Sequence, residues 1–411
     1  MMILVLLAGL VLMRESRQEP LAGWDDRWVD FLATSGRMAQ PEAAVTLVGI
    51  DDGSLQEHPW PWSPLDFSLF FQAVLPYNPA VVAVDEVLDW DRFALPEAQM
   101  KKLPQYEKIL LDQIHRAPRM LLGAQLGFPD DPQVAPPWQE VPLLRQVKGD
   151  LRELPEYPIV ELQPSEEFRL ASTIGFTNLP PTQERYNSVP LIFRQNGQVV
   201  PSFPLQAMMM WSRLTPDEVS VVLGSHIDLS HKRRIPIDAR GRMRVDFAAP
   251  RGAVSFDDLL FASEQAAAGK PAVVDLSKLK GRIVLLSRID KKAQAVPLAA
   301  RRNGSPGELF AAAIATMQSH SYIRRAPVWA EILVLAMVAV IAFLAPRWSK
   351  WGTTGAGFIL LIGYALVSMA VFHRHLVWLP GVLPLGTVAC FVLFRFVASD
   401  HVPKPKRPVI L

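Results

Sequence analysis

Val45–Val84, VTLVGIDDGSLQEHPWPWSPLDFSLFFQAVLPYNPAVVAV, decides the fold. It opens on VTLVGI (Val45–Ile50), a short apolar run rich in β-branched residues, as expected of a strand buried on both faces. Ser63-Pro64-Leu65-Asp66 then carries a helix start: serine as N-cap, proline at the first helical position and an acid at the third. Phe67, Phe70, Phe71, Val74 and Leu75 follow at helical spacing and make one apolar stripe. Tyr77-Asn78-Pro79 ends the helix, and Ala80–Val84 is a second buried strand. Strand, helix, strand predicts a right-handed crossover between parallel strands.

The pattern continues outward. Gln105–Arg116 has helical spacing and Arg119–Gln125 reads as a third strand. The second half predicts antiparallel pairing. Val189–Phe193 and Gln198–Pro201 flank Gln195-Asn196-Gly197, and Ile235–Ile237 and Met243–Phe247 flank Asp238–Arg242 in the same manner. Arg282–Ser287 is a final buried strand, and Ser305-Pro306-Gly307-Glu308 opens a helix to about Gln318. The proline-rich stretch Phe128–Pro164 reads as a surface insertion, and Met208–Trp211 as core on a helix. The expected fold is α/β, with a mixed, partly parallel sheet sandwiched by helices.

Three apolar runs follow: Val328–Ala345, Gly352–Phe372 and Leu376–Ala398. Each is close to the ~20 residues that cross a hydrocarbon core. Trp329, Trp348, Trp351 and Trp378 stand at their ends, where indole prefers the headgroup layer. They predict a C-terminal three-helix transmembrane bundle, and Met1–Met13, short for a span, reads as an N-terminal signal anchor, whole or in part, with the apolar core of a signal peptide as the alternative. Arg347, Lys350, Arg395, Lys404, Lys406 and Arg407 against Arg324, Arg325 and Arg374 place the tail 399–411 in the cytoplasm and the large segment outside it. Arg14 and Arg17 argue mildly the other way. Glu331 and Arg395, near span ends, are expected to reach the interface, and His373 and His375 to occupy a loop between the second and third spans.

A net charge of +2 over 411 residues gives no electrostatic reason to expect nucleic acid. The sole cysteine, Cys390, falls in the third run, which excludes disulfides, a thiolate zinc site and a cysteine nucleophile from the rest. No phosphate loop, zinc-binding helix or serine elbow is present, so no catalysis is expected.

Several stretches in order resemble the type-2 CHASE domain, an extracytoplasmic sensory module found beside cyclases and histidine kinases. They are Trp24–Trp28 (WDDRW), Val45–Leu55 with Trp60–Trp62 (WPW), Ala80–Asp91, Gly175–Leu179 (GFTNL), Val189–Phe193, Pro201–Ala207, Gly241–Val245, Leu279–Leu286 (LKGRIVLL) and Pro306–Ala315 followed by Arg324-Arg325-Ala326-Pro327. The resemblance implies a sensory domain over 24–320 and three helices over 328–398, bounded 328–345, 352–372 and 376–398. It also implies a bacterial inner-membrane location. Ser287-Arg288-Ile289-Asp290 replaces the family's small-residue turn, and Gly307–Ala311 lacks its acid-plus-histidine pattern. The family's output domain is missing, so the chain resembles the receptor half alone, signalling to a separate partner.

Parallel strands gather their C-terminal ends on one edge, where open α/β sheets bind ligands. That edge should collect Asp51, Asp52, Asp85, Glu86, Gln125 and the Ser287–Asp290 loop with its Asp290, with Trp60 and Trp62 as an aromatic wall. Converging oxygens suit a divalent cation or a cationic or hydroxylated ligand, with no cofactor as the simpler reading. The plainer alternative makes Asp51 and Asp85 acceptors for neighbouring backbone amides, and WPW a packed turn. Expected partners are the lipid bilayer, a signalling or envelope membrane protein, and a second copy through Gly352, Gly355 and Gly357. The rival function is a structural scaffold subunit of an envelope complex.

Overall fold

The computed structural model describes residue 11 and residues 21–34, 40–92, 95–129, 141–180, 185–229, 233–293, 295–298, 302–344 and 350–399. The chain forms two compact units, Ala39–Tyr322 and a second made of Met1–Met38 with Ile323–Leu411.

In the first unit a sheet carries seven strands among the described residues: β1 (Val45–Ile50), β2 (Val81–Val84), β3 (Met120–Gly127), β4 (Ile159–Leu162), β5 (Thr173–Phe176), β6 (Gly252–Ser255) and β7 (Ile283–Arg288). Their order is β6-β1-β7-β2-β3-β4, with β5 also on β3. Every pairing is parallel except β3 with β4. The mixed, mainly parallel sheet is as expected, but β7, last in sequence, lies between β1 and β2.

Alternation along each strand divides its residues between two cores. Val45, Leu47, Val81, Ala83, Leu121, Ile283 and Leu285 face one core, and Val48, Ile50, Val82, Val84, Leu122, Val284 and Leu286 face the other. Helices α1 (Pro64–Val74), α2 (Leu103–Arg116) and α4 (Phe256–Ala267) bury Phe67, Phe70, Leu110, Ile114, Phe256 and Leu259 in the second core. Helices α3 (Phe203–Ser212) and α5 (Pro306–Gln318) bury Phe203, Met208, Met209, Phe310 and Ile314 in the first. Both expected helix starts form. Ser63 N–H and Oγ donate to Asp66 Oδ2 at 2.8 and 2.7 Å, and Ser305 N–H donates to Glu308 Oε2 at 2.9 Å while Glu308 N–H donates back to Ser305 Oγ at 3.2 Å.

The Asn196-Gly197 hairpin forms, with both residues at positive φ (47° and 78°) and Ile192–Gln195 antiparallel to Gln198–Pro201. The second expected hairpin does not. Arg234–Pro236 pairs with His226–Asp228, and Arg242–Arg244 pairs with Ser188–Pro190. Asp238 Oδ1 accepts the N–H groups of Arg240 and Arg242, and this side-chain-held turn sends the chain to a different partner. Nor is Phe128–Pro164 only an insertion: residues 130–140 lie outside the described set, but Ile159–Leu162 joins the main sheet as β4.

The second unit contains helices Leu21–Thr34, Val328–Leu344, Lys350–His375 and Val382–Ser399. Among the described residues one helical stretch, Gly355–His375, is long and apolar enough to cross a membrane, and Val328–Val340 is a shorter apolar one. Three helices therefore occupy the expected runs, but length and composition mark one as a full span. The third starts six residues late: Leu376 turns at φ 55°, and Val377–Trp378 pairs in parallel with Arg324–Arg325. His373 and His375 belong to the last turn of the preceding helix rather than to a loop. Glu331 does not reach outward; its buried carboxylate accepts from Arg325 Nε at 2.9 Å. Met1–Met13, apart from Val11, and residues 400–411 lie outside the described residues.

Candidate functional site

Register collects the site. Gly49 and Ile50 lie beside Ser287 and Arg288, and Leu286 lies beside Val84, so the residues leaving β1, β7 and β2 share one edge. Asp85 N–H still donates to Leu286 O at 3.3 Å, and Ile289 N–H to Ile50 O at 2.9 Å.

Arg288, the last residue of β7, organises the centre. Its Nε and Nη2 donate to Asp290 Oδ1 and Oδ2 at 2.9 and 3.0 Å, a two-pronged pair. The Asp290 side chain is fully buried (0% exposed), and its Oδ2 also accepts Lys292 N–H at 3.0 Å. The guanidinium lies 4.3 Å from the centroid of the Trp60 ring. Asp290 is thus spent on holding the arginine against the indole.

Asp85 and Glu86 sit half-buried beside this pair. Burial pushes Asp85 well above the usual carboxylate range, and the neighbouring Glu86 charge adds to it, against a hydrogen bond with Ser287. Burial likewise raises Glu86, which Arg288 opposes and Asp290 reinforces. Asp85 Oδ1 is buried with no hydrogen-bond partner. Close above it is the first turn of α5. A methyl group on Gly307 would overlap Ser287 Oγ and Cβ and lie 3.0 Å from Asp85 Oδ2, so glycine alone lets the helix come this near.

Asp51 is unlike Asp85. Burial acts upward on it too, but the Ser54 N–H and hydroxyl, each 2.9 Å from Oδ1, with Ser255 and Gly53, outweigh burial and hold it below the usual range. Asp51 therefore serves the turn at Ser54. Asp52, more exposed, faces Lys291, with Nζ 3.4 Å from Oδ2. Trp62 is 1% exposed: its N–H donates to His58 O at 2.8 Å, and its ring packs 4.5 Å from Phe256. It is core rather than ligand wall. Gln125 is exposed where the β3–β4 register shifts, outside the hydrogen-bonded cluster.

The structure thus brings together Trp60, Asp85, Glu86 and Asp290, keeps Asp51 and Asp52 on the flank, and withdraws Trp62 and Gln125. The sequence placed the Ser287–Asp290 loop on this edge but singled out only Asp290 from it, giving Arg288 and Ser287 no role, and did not bring Gly307 there; a lone cation ending a buried strand among acids was the available signal. A divalent cation does not fit, because a fixed guanidinium stands among the carboxylates. Among the described residues no group of three or more His, Cys, Asp or Glu side chains is placed to hold a metal ion. What the edge offers is a pair of acids that burial holds above the usual carboxylate range, an unsatisfied oxygen and an immobilised cation–indole surface.

Residues 2–345 match the family model of the CHASE2 domain. No curated protein and no solved structure matches the chain. With most of its length matched, the chain belongs to the CHASE2 domain family, whose domain is an extracytoplasmic sensory module.

Proposed function

We propose that this protein is a membrane-anchored bacterial receptor whose α/β unit binds a small hydroxylated or cationic ligand at the C-terminal edge of β1, β7 and β2. The observation that carries this reading is Asp85 Oδ1, buried and without a partner next to Glu86 and Ser287, on the edge where Arg288 lies over Trp60. An acceptor left so costs about 1–3 kcal/mol, which a ligand recovers by donating an O–H or N–H there. Binding, not catalysis, is the role this edge supports. The three C-terminal helices and the N-terminal run anchor the chain in the inner membrane with the α/β unit outside; the length and apolarity of Gly355–His375 support this. The signal passes through the helices to a membrane or cytoplasmic partner, with Gly352, Gly355 and Gly357 as a close-packing stretch for a second copy. Such a switch requires different ligand affinity in its two states.

The test is thermal-shift screening of the full chain in lipid nanodiscs against polyols, sugars, amino acids and amines. A binder present at about a hundred times its Kd adds ~2.7 kcal/mol. We expect at least one compound to stabilise wild type and Gln125→Ala but neither Asp85→Asn nor Arg288→Ala. Silence across the screen, or stabilisation indifferent to both edge variants, overturns the proposal in favour of a scaffold.

A further inference from the structure

Helix Leu21–Thr34 has three unlike sides. At about 100° per residue, Asp25, Val29 and Leu32 fall on one face. All three are buried: Val29 and Leu32 cluster with Ile323, Phe372 and Trp378, and Asp25 Oδ1 accepts the N–H groups of Gly381 and Val382 at 2.9 and 3.0 Å. Trp28 N–H donates to Leu379 O at 3.1 Å. About a quarter-turn away runs a second stripe, with Trp24 and Phe31 62% and 53% exposed. Arg27 is also exposed, its guanidinium 5.5 Å from the Trp24 ring, and Trp28 stacks on Phe31 at 5.5 Å. Asp26, half-buried, and Asp30, buried, lie on the side of the helix away from these aromatics. An exposed aromatic stripe carrying an arginine is what a helix at a membrane surface turns toward lipid.

The level of the helix identifies what meets the aromatic stripe. Its buried face packs against Met369 and Phe372, in the last turns of the 21-residue stretch Gly355–His375. At 1.5 Å per residue that stretch is about 30 Å long, the thickness of the hydrocarbon core, so its last turns stand at the boundary with the headgroups. Indole and phenyl rings partition to that boundary, and an arginine beside them reaches lipid phosphate.

We infer that helix Leu21–Thr34 lies in the phospholipid headgroup layer, with Trp24 and Phe31 immersed at its inner boundary and Arg27 on lipid phosphate. This rests on the membrane-spanning reading of Gly355–His375, and the test separates the two. In a Cys390→Ser background, Trp24→Cys, Phe31→Cys, Asp26→Cys and Ile362→Cys are each labelled with a nitroxide. The full chain is reconstituted in bilayers of phosphatidylethanolamine and phosphatidylglycerol, and label relaxation by oxygen and by a water-soluble nickel chelate is compared. Ile362 is 60% exposed near the middle of the span, and so reports the membrane reading itself.

The expected order of oxygen over nickel accessibility is 362 highest, 24 and 31 intermediate, and 26 lowest. Nickel access at 362 would sink the spanning reading and this inference with it. Oxygen-dominated relaxation at 362, with 24 and 31 as nickel-accessible as 26, overturns the inference alone. Shielding of 24 and 31 from both reagents overturns it too, since protein rather than lipid would then cover the stripe.

Discussion

Replacing Gly307 by alanine probes how tightly α5 is pressed onto the acid edge. The new methyl would overlap Ser287 Oγ and Cβ and stand 3.0 Å from Asp85 Oδ2, against the ~3.5–4.0 Å of ordinary carbon packing. Ser287 is 2% exposed on the central strand, and its Cβ cannot rotate away. Forced packing of this kind costs about 1–3 kcal/mol, while alanine in place of glycine returns up to ~1 kcal/mol of helix propensity. The net expectation is destabilisation of roughly 1–2 kcal/mol. At about 2–4 °C per kcal/mol for a unit of this size, the melting temperature of the full chain in detergent should fall by ~2–8 °C. Ser287→Gly removes both overlapping atoms, so in that background Gly307→Ala should be neutral or mildly stabilising. A double-mutant cycle should show coupling of about 1–3 kcal/mol. Additivity within ~0.5 kcal/mol, or a higher melting temperature for Gly307→Ala alone, would refute the packing and remove α5 from the site.

Asp85→Asn should change the pH dependence of stability. A raised native pKa means the folded carboxyl keeps its proton where the unfolded one has lost it, so wild type loses stability as pH rises above ~4 until the native group itself ionises. Urea melts at pH 4.5 and 7.5 should show the asparagine variant gaining on wild type at the higher pH; a constant difference would contradict the burial argument. Arg288→Ala leaves the Asp290 carboxylate buried and unpaired, a loss of about 3–5 kcal/mol, and Arg288→Lys should recover only part because it lacks the fork. Equal stability of the two variants by denaturant titration would count against the two-pronged pair. Trp62→Ala should cost about 3–5 kcal/mol as a core truncation, and Trp60→Ala nearer ~1 kcal/mol with loss of the cation–indole contact. The reverse ranking would return Trp62 to the ligand wall.

What could be read from the sequence was local. Val45–Ile50, Val81–Val84 and Ile283–Arg288 are buried on both faces, which writes them as continuous apolar runs, and the Ser63 and Ser305 helix starts carry their own partners three residues on. Strand order had no such signal. Placing β7 between β1 and β2 is a pairing across more than two hundred residues, and Gly252–Ser255 is too short and too exposed to read as a strand. Hydropathy also overextended the third C-terminal helix. Leu376–Leu379 is as apolar as a span, but the left-handed turn at Leu376 and the pairing of Val377–Trp378 with Arg324–Arg325 are tertiary facts.

The site was legible as a place and not as chemistry. Asp51 and Asp85 look alike in sequence, each the first acid after a buried apolar strand, and strand topology alone brings them to one edge. Their environments then push them in opposite directions. A serine three residues on turns back over Asp51 and satisfies it, so it stays ionised and structural. Over Asp85 there is instead the first turn of a helix that starts more than two hundred residues later, admitted by Gly307 and leaving one oxygen unmet. Arg288 lay in a loop expected at this edge, but its role was hidden for a related reason: an arginine ending a strand ordinarily marks the exit to solvent, and what holds it inward is Asp290 and the Trp60 ring from a distant loop. The difference between a satisfied turn acid and one left with an unmet oxygen therefore lies in what covers the strand end. In this fold the cover is α5, so a change that lifts its first turn should alter the surroundings of Asp85 and, with them, the ligand response proposed for this edge.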